Sequence, residues 1–95
     1  MDKTYFVYIL ASKRNGTLYV GMTNNLERRI NEHKEQINTS FSSKYNVSRL
    51  VWYEEFDTAI PAIEKEKQIK TWKREWKINL IEKDNPNWKD LYYLF

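Results

Sequence analysis

The sequence predicts an α+β fold, a small three-stranded sheet with helices packed against it, in the order β-β-α-β-α-α. Three observations carry the prediction. Residues 5–12, YFVYILAS, are apolar at nearly every position, as in a strand covered on both faces. The stretch SKRNGT, with Asn15-Gly16, then signals a turn, and residues 17–22 read as the returning strand. Further along, apolar residues recur at spacings of three and four, the period of a helix resting on a core.

The elements follow in order. After the hairpin, Thr23 or one of the two asparagines behind it caps a helix that runs to about Gln36. Residues 38–48 are polar and rich in Ser and Thr, so they read as a surface loop. The run RLVWYEEF, 49–56, is a third strand. Asp57 or Thr58 caps a second helix reaching about Trp72, with Pro61 tolerated in its first turn. A third helical stretch, 74–83, ends before Asn85-Pro86. The tail NWKDLYYLF is aromatic enough to dock on the body rather than float.

Composition narrows the function. Ninety-five residues suit one domain over 1–95, with a single core. Aromatics make up 16% of the chain, so each core position can bury much area. With no Cys, disulfides, zinc ribbons and thiol nucleophiles are out, and the count fits a cytoplasmic location. No run approaches the roughly 18 apolar residues of a membrane span, and the N-terminus does not read as a signal peptide. The net charge is +3, but its distribution says more than its size. From Glu64 to Lys77 six Lys/Arg face three Glu, interleaved with two Trp, a stripe suited either to a phosphate backbone or to plain solvation.

Five residues sit oddly. On the first helix Leu26, Ile30, His33 and Ile37 form one stripe, with Arg29 beside it, while Arg28 points away. On the second, Glu66 falls among Ala59, Ala62 and Ile69, where an ionised carboxylate needs a cation, a metal or at least Lys70 four residues on. In the hairpin, a four-residue loop from Lys13 to Gly16 sets Tyr19 opposite Leu10 and Gly21 opposite Tyr8. Tyr8 and Tyr19 then become diagonal neighbours on one face, with room beside them at Gly21. Taken singly, each has an ordinary structural explanation. Together, two phenols, a guanidinium, an imidazole and a carboxylate directed to one side suggest phosphoryl chemistry with a hard cation. A single His and no Cys argue against zinc, and no Gly-rich phosphate loop is present.

At these residues the sequence resembles the GIY-YIG endonuclease family. Phe6-Val7-Tyr8 corresponds to its first motif and Tyr19-Val20-Gly21 to its second. MTNNLERRINEH is similar to the family's helix, with its arginine at Arg29 and a polar ring at His33. AIEKEKQIKTW resembles the metal-binding helix, with its glutamate at Glu66. The likeness covers almost the whole chain and is nearest the small stand-alone bacterial members, which are similar to the incision domain of the excision-repair nuclease. It implies hydrolysis of DNA phosphodiesters, with RNA left open, in repair or recombination, with one Mg²⁺ or Mn²⁺ held by Glu66. Arg29 would neutralise charge on the phosphoryl oxygens, Tyr8 or Tyr19 would deprotonate the attacking water, and His33 would position a tyrosine or the water. Phe6 stands where the family name has glycine, and Met22 where some members have lysine. The asparagine that others place near the metal has its nearest counterpart in Asn79, to which that role is not carried over.

A rival reading keeps the fold but not the cleavage: a DNA- or RNA-binding module, or a subunit dependent on a protein partner. Lys44, Arg49, Lys67, Lys70, Lys73 and Arg74, with Tyr45 and Trp72 for stacking, would carry nucleic-acid binding in either case. A protein-interaction unit docking through Trp88, Tyr92, Tyr93 and Phe95 is the third reading, against the simpler one that the tail completes a small core.

Overall fold

The apolar run at the N-terminus becomes the middle strand of the sheet. In a computed structural model, which describes residues 4–37 and 47–95, strands β1 (Tyr5–Ala11), β2 (Leu18–Thr23) and β3 (Arg49–Phe56) pair antiparallel in the order β2-β1-β3. Helices α1 (Leu26–Ile37), α2 (Ala59–Thr71) and α3 (Arg74–Asp84) and a short 3₁₀ turn at Leu91–Leu94 complete the α+β architecture. Most of the loop expected at 38–48 lies outside the described residues.

Side chains of a strand alternate between faces, and here both faces are buried. Val7, Ile9 and Ala11 point to one side, with Val20, Ala62 and Ile69 of α2, Ile81 of α3 and Trp88. Tyr8 and Leu10 point to the other and pack with Leu26 and Ile30 of α1 and with Leu50. A middle strand with helices on both sides has no polar face to show, which is why residues 5–11 do not alternate in hydropathy.

The pairing of β1 with β3 contains an irregularity that the strand pattern does not announce. Ile9 pairs with Trp52 and Leu10 with Leu50, so Val51 is an extra residue, a β-bulge. A bulge interrupts the ladder, and here the carbonyl of Val51 receives a hydrogen bond from the side-chain Nδ2 of Asn85 at 3.2 Å. That nitrogen also donates to the carbonyl of Lys89 at 2.9 Å, while Oδ1 accepts from the Lys89 amide at 3.0 Å. Asn85 is buried because it answers three backbone groups at once.

The hairpin has the four-residue loop expected. The Ser12 amide donates to Thr17, and the Gly16 amide closes a turn on Lys13. The division of labour within Asn15-Gly16 differs from the usual hairpin signal. Asn15 takes the left-handed backbone, φ 58°, and Gly16 does not. Gly16 is needed for space instead, because a Cβ there would collide with Ser12 Oγ and lie 2.9 Å from Cγ of Lys13.

The helix starts are also particular. Asn25 is the residue that caps α1, its Oδ1 accepting from the Arg28 amide at 3.1 Å. Thr58 occupies the cap position of α2 without a side-chain bond. The third residue of that helix is Pro61, which has no N–H, so one of the two donors a cap side chain normally takes is missing.

The tail docks in part. Trp88 is fully buried, adopts φ 56° and donates its indole N–H to Glu82 at 2.7 Å. Asp90 accepts from the Leu50 amide at 3.2 Å and pairs with Lys34 of α1 at 2.8 Å, tying the tail to β3 and α1 together. Tyr93, Leu94 and Phe95 remain exposed, although the Phe95 ring meets Tyr53 at 5.5 Å.

Asn85→Ala removes the side-chain donor that the bulged Val51 carbonyl accepts from. The expected loss is about 1–3 kcal/mol of stability, read as a lower urea midpoint with an unchanged slope.

Candidate active site

Two strands and one helix bring four of the five singled-out side chains together. The register pairs Tyr8 with Gly21 and Leu10 with Tyr19, as the loop length predicts. The Tyr8 and Tyr19 rings lie with centroids 6.2 Å apart. Gly21 makes that possible. A Cβ on it would stand 2.5 Å from the Tyr8 hydroxyl oxygen and 2.9 Å from Cε1 of Tyr19, closer than atoms can approach.

From α1, His33 inserts its ring beside both phenols, 6.3 Å from Tyr8 and 5.2 Å from Tyr19 between centroids. Arg29, one turn earlier, directs Nε to the Tyr8 hydroxyl at a long 3.4 Å. Its other end pairs with Glu32 at 3.3 Å. Glu32 was not singled out by the sequence pattern, although its spacing of three from Arg29 was a signal for that pair.

Glu66 enters from elsewhere. The expectation that all five groups face one side holds for the tyrosines and the two α1 residues. Glu66 belongs to α2, whose buried Ala62 and Ile69 pack on the opposite face of the sheet. The charge of Glu66 still reaches Tyr8, where it is the smallest of the influences on the phenol. Its carboxylate is partly covered and pairs with Lys70 at 3.6 Å, the helical partner that its spacing foretold.

The electrostatics divide the groups by role. Burial pushes the Tyr8 phenol above its usual value, against the hydrogen bond and charge of Arg29, which pull it down. The guanidinium is held well above its ordinary range, first by the Tyr8 hydroxyl and with a contribution from Tyr19, so it is a permanent cation. His33 is lowered, first by burial and then by the nearby charge of Arg29. Its Nε2 is buried and has no hydrogen-bond partner among the described residues, an unmet demand next to two phenols. Tyr8 is closed off, whereas Tyr19 is 41% exposed and forms the open side of the cluster.

The residues expected to bind nucleic acid fare unequally. Lys44 and Tyr45 lie outside the described residues. Lys67 and Lys73 are exposed, and Lys70 is engaged by Glu66. Arg49 donates to the carbonyl of Trp88 at 3.1 Å, and Arg74 to the carbonyls of Asn15 and Gly16 at 2.7 and 2.6 Å. Both arginines therefore serve the fold directly. Trp72 stacks edge-on against Trp76 at 6.3 Å.

Among the described residues no group of three or more His, Cys, Asp or Glu could hold a metal, and no helix is long and apolar enough to cross a membrane. The cluster on the α1 side thus combines a fixed cation, two phenols and an imidazole, and one carboxylate, Glu66, stands near enough for its charge to be felt at Tyr8. The model of the GIY-YIG catalytic domain matches residues 4–79, and the chain belongs to that family. Among its relatives, a UPF0213 protein of Staphylococcus saprophyticus is 37% identical over 85% of this chain and 96% of that protein. Another from Haloquadratum walsbyi is 34% identical over 86% of this chain and 91% of that one. The solution NMR structure of the UPF0213 protein BH0048 from Bacillus halodurans superposes with a TM-score of 0.58 at 25% identity, covering 92% of both chains.

Two outcomes follow from this packing. Gly21→Ala must displace Tyr8 or Tyr19, so it is expected to cost about 1–3 kcal/mol in urea unfolding. His33 binds protons less readily folded than unfolded, so the stability its neutral ring contributes is present above about pH 6.5 and lost as pH falls through its lowered folded value. Thermal melts from about pH 7 to pH 5 should therefore show wild type losing more stability than His33→Phe, which keeps a ring but cannot be protonated.

Proposed function

We propose that this chain is a divalent-metal-dependent endonuclease that hydrolyses DNA phosphodiester bonds. The single observation that carries the reading is the convergence of Tyr8, Tyr19 and His33 on one cluster with Arg29, whose protonation the phenols reinforce. Phosphoryl transfer asks mainly for positioned charge and an oriented nucleophile, and this cluster supplies both.

A metal fits the donor set. One partly covered carboxylate, in a long 3.6 Å contact with Lys70, suits a hard cation that keeps several waters and takes substrate phosphate as a further ligand. Glu66 would hold Mg²⁺ or Mn²⁺, which when bound supplies charge to the scissile phosphate and the leaving oxygen. The remaining work falls to the chain itself. Arg29 offers its free N–H groups to the non-bridging phosphoryl oxygens while Tyr8 fixes its Nε. Tyr8 or Tyr19 takes the proton of the attacking water. Buried Tyr8 is neutral in the free protein, and positive charge brought near it is what makes that transfer feasible at neutral pH. His33, neutral and with Nε2 unfilled, orients a water or a phenol.

The test is nicking of supercoiled and branched DNA with Mg²⁺ or Mn²⁺. Glu66→Ala should fall to background, and Arg29→Ala should lose about 100- to 1,000-fold in rate, each with an unchanged melting profile. Absence of cleavage by the wild type, with salt-sensitive DNA binding retained, would replace this reading with a binding module.

A further inference from the structure

Below the site just described, the end of α2 and the outer side of α3 form a second feature that the nuclease chemistry does not use. A cavity of about 340 Å³ is lined by Trp72, Trp76, Asn79, Leu80 and Lys83. Two of its walls are indoles set edge to face, ring centroids 6.3 Å apart. Trp76 is 51% exposed, so the groove has an open aromatic surface rather than a buried one.

Basic side chains flank it, with the acids Glu75 and Asp84 one turn away from Asn79 and Leu80 on the same helix. Lys83 lines the groove, and Lys73, the residue just before α3, stands three ahead of Trp76 in the chain. A further lysine, Lys65, holds its ammonium 5.8 Å from the centre of the Trp72 ring. Among the described residues none of these lysines is in an ion pair, and the nearby Glu82 is committed to the indole of Trp88. An open indole flanked by unpaired ammonium groups, with an amide at Asn79 to meet a polar edge, is complementary to a nucleobase and its two phosphates. A duplex keeps its bases stacked inside, where they cannot reach such a surface.

We infer that this groove stacks an unpaired base of the nucleic-acid substrate, so that the preferred substrate carries a single-stranded segment beside the cleavage point. The inference deepens the nuclease reading and rests on it. Geometry links the two sites. Glu66 lies in the last two turns of α2 and Trp72 is the residue that ends that helix, so the two are roughly 9 Å apart in rise, on the scale of neighbouring nucleotides of one strand. Arg74, between the two indoles in sequence, fastens this end of the molecule to the β1–β2 turn through Asn15 and Gly16. The groove is thereby held in a fixed relation to the hairpin that carries Tyr19.

The test measures binding without metal, in EDTA, to an oligothymidylate strand and to a blunt duplex of equal length, by tryptophan quenching and anisotropy. Wild type should prefer the strand, and Trp76→Ala should bind it about tenfold more weakly with duplex binding unchanged, while Trp76→Phe restores most of the affinity. Lys83→Glu is the second variant, and should weaken strand binding and its salt dependence. Equal strand and duplex affinity, or strand affinity indifferent to both variants, overturns the proposal. So does self-association of the protein that Trp76→Ala abolishes without any strand binding, because the groove is then a protein contact. Cleavage of gapped and flapped DNA separates the two readings. Strand binding that depends on Trp76, with no cleavage by the wild type, keeps the groove and removes the nuclease. Metal-dependent cleavage with Trp76 irrelevant to strand binding does the reverse.

Discussion

The register that sets Tyr8 opposite a residue without a side chain governs the whole upper face of the sheet. Because Gly21 has no Cβ, the Tyr8 ring can lie across it and bring its hydroxyl to Arg29. Tyr19 then closes on one flank and His33 on the other. A slip of one residue between β1 and β2 would turn Tyr19 to the other face and empty the cluster. The register is secured against that slip at both ends. The Lys13–Gly16 loop fixes it by length and by the Ser12–Thr17 bonds. The apolar residues of β1 fix it by burial on both faces.

Polar side chains also help to hold this sheet, and they do it at the backbone. Asn85 serves the bulge at Val51, Asp90 serves the Leu50 amide, and Arg49 serves the carbonyl of Trp88. Each meets a main-chain group that strand pairing leaves over. Their common location, where β3 meets the chain after α3, is where the regular ladder is disturbed. The helices on that side bury Ala62 and Ile69 from α2 and Ile81 from α3, with Ile78 and Leu80 partly covered beside them.

The difference between what the sequence disclosed and what it withheld follows the same line. Periodicity reports which residues share a face, so the stripe of α1, the partnering of Tyr8 and Tyr19 and the burial of both sides of β1 were legible. It cannot report an extra residue in a strand whose neighbours are all apolar, and Val51 in RLVWYEEF leaves no trace of its bulge. It does not say whether a cation faces solvent or a carbonyl, so the bonds of Arg49 and Arg74 to main-chain carbonyls were not foreseen. Nor does it order helices about a sheet. Glu66 was legible as a carboxylate on an apolar stripe, but the stripe of α2 packs on the face away from the tyrosines.

The match to the GIY-YIG catalytic domain ends at residue 79, yet Ile81, Asn85 and Trp88, all buried, come after it. The family's domain model thus stops short of residues that this core includes. Cut at residue 79, this chain would leave the flank of β3 open and the bulged Val51 carbonyl without its Asn85 donor. Trp88 roofs that flank as a wedge, its indole fastened to Glu82. The stretch that closes the core is in that sense a separate part from the stretch that the family shares.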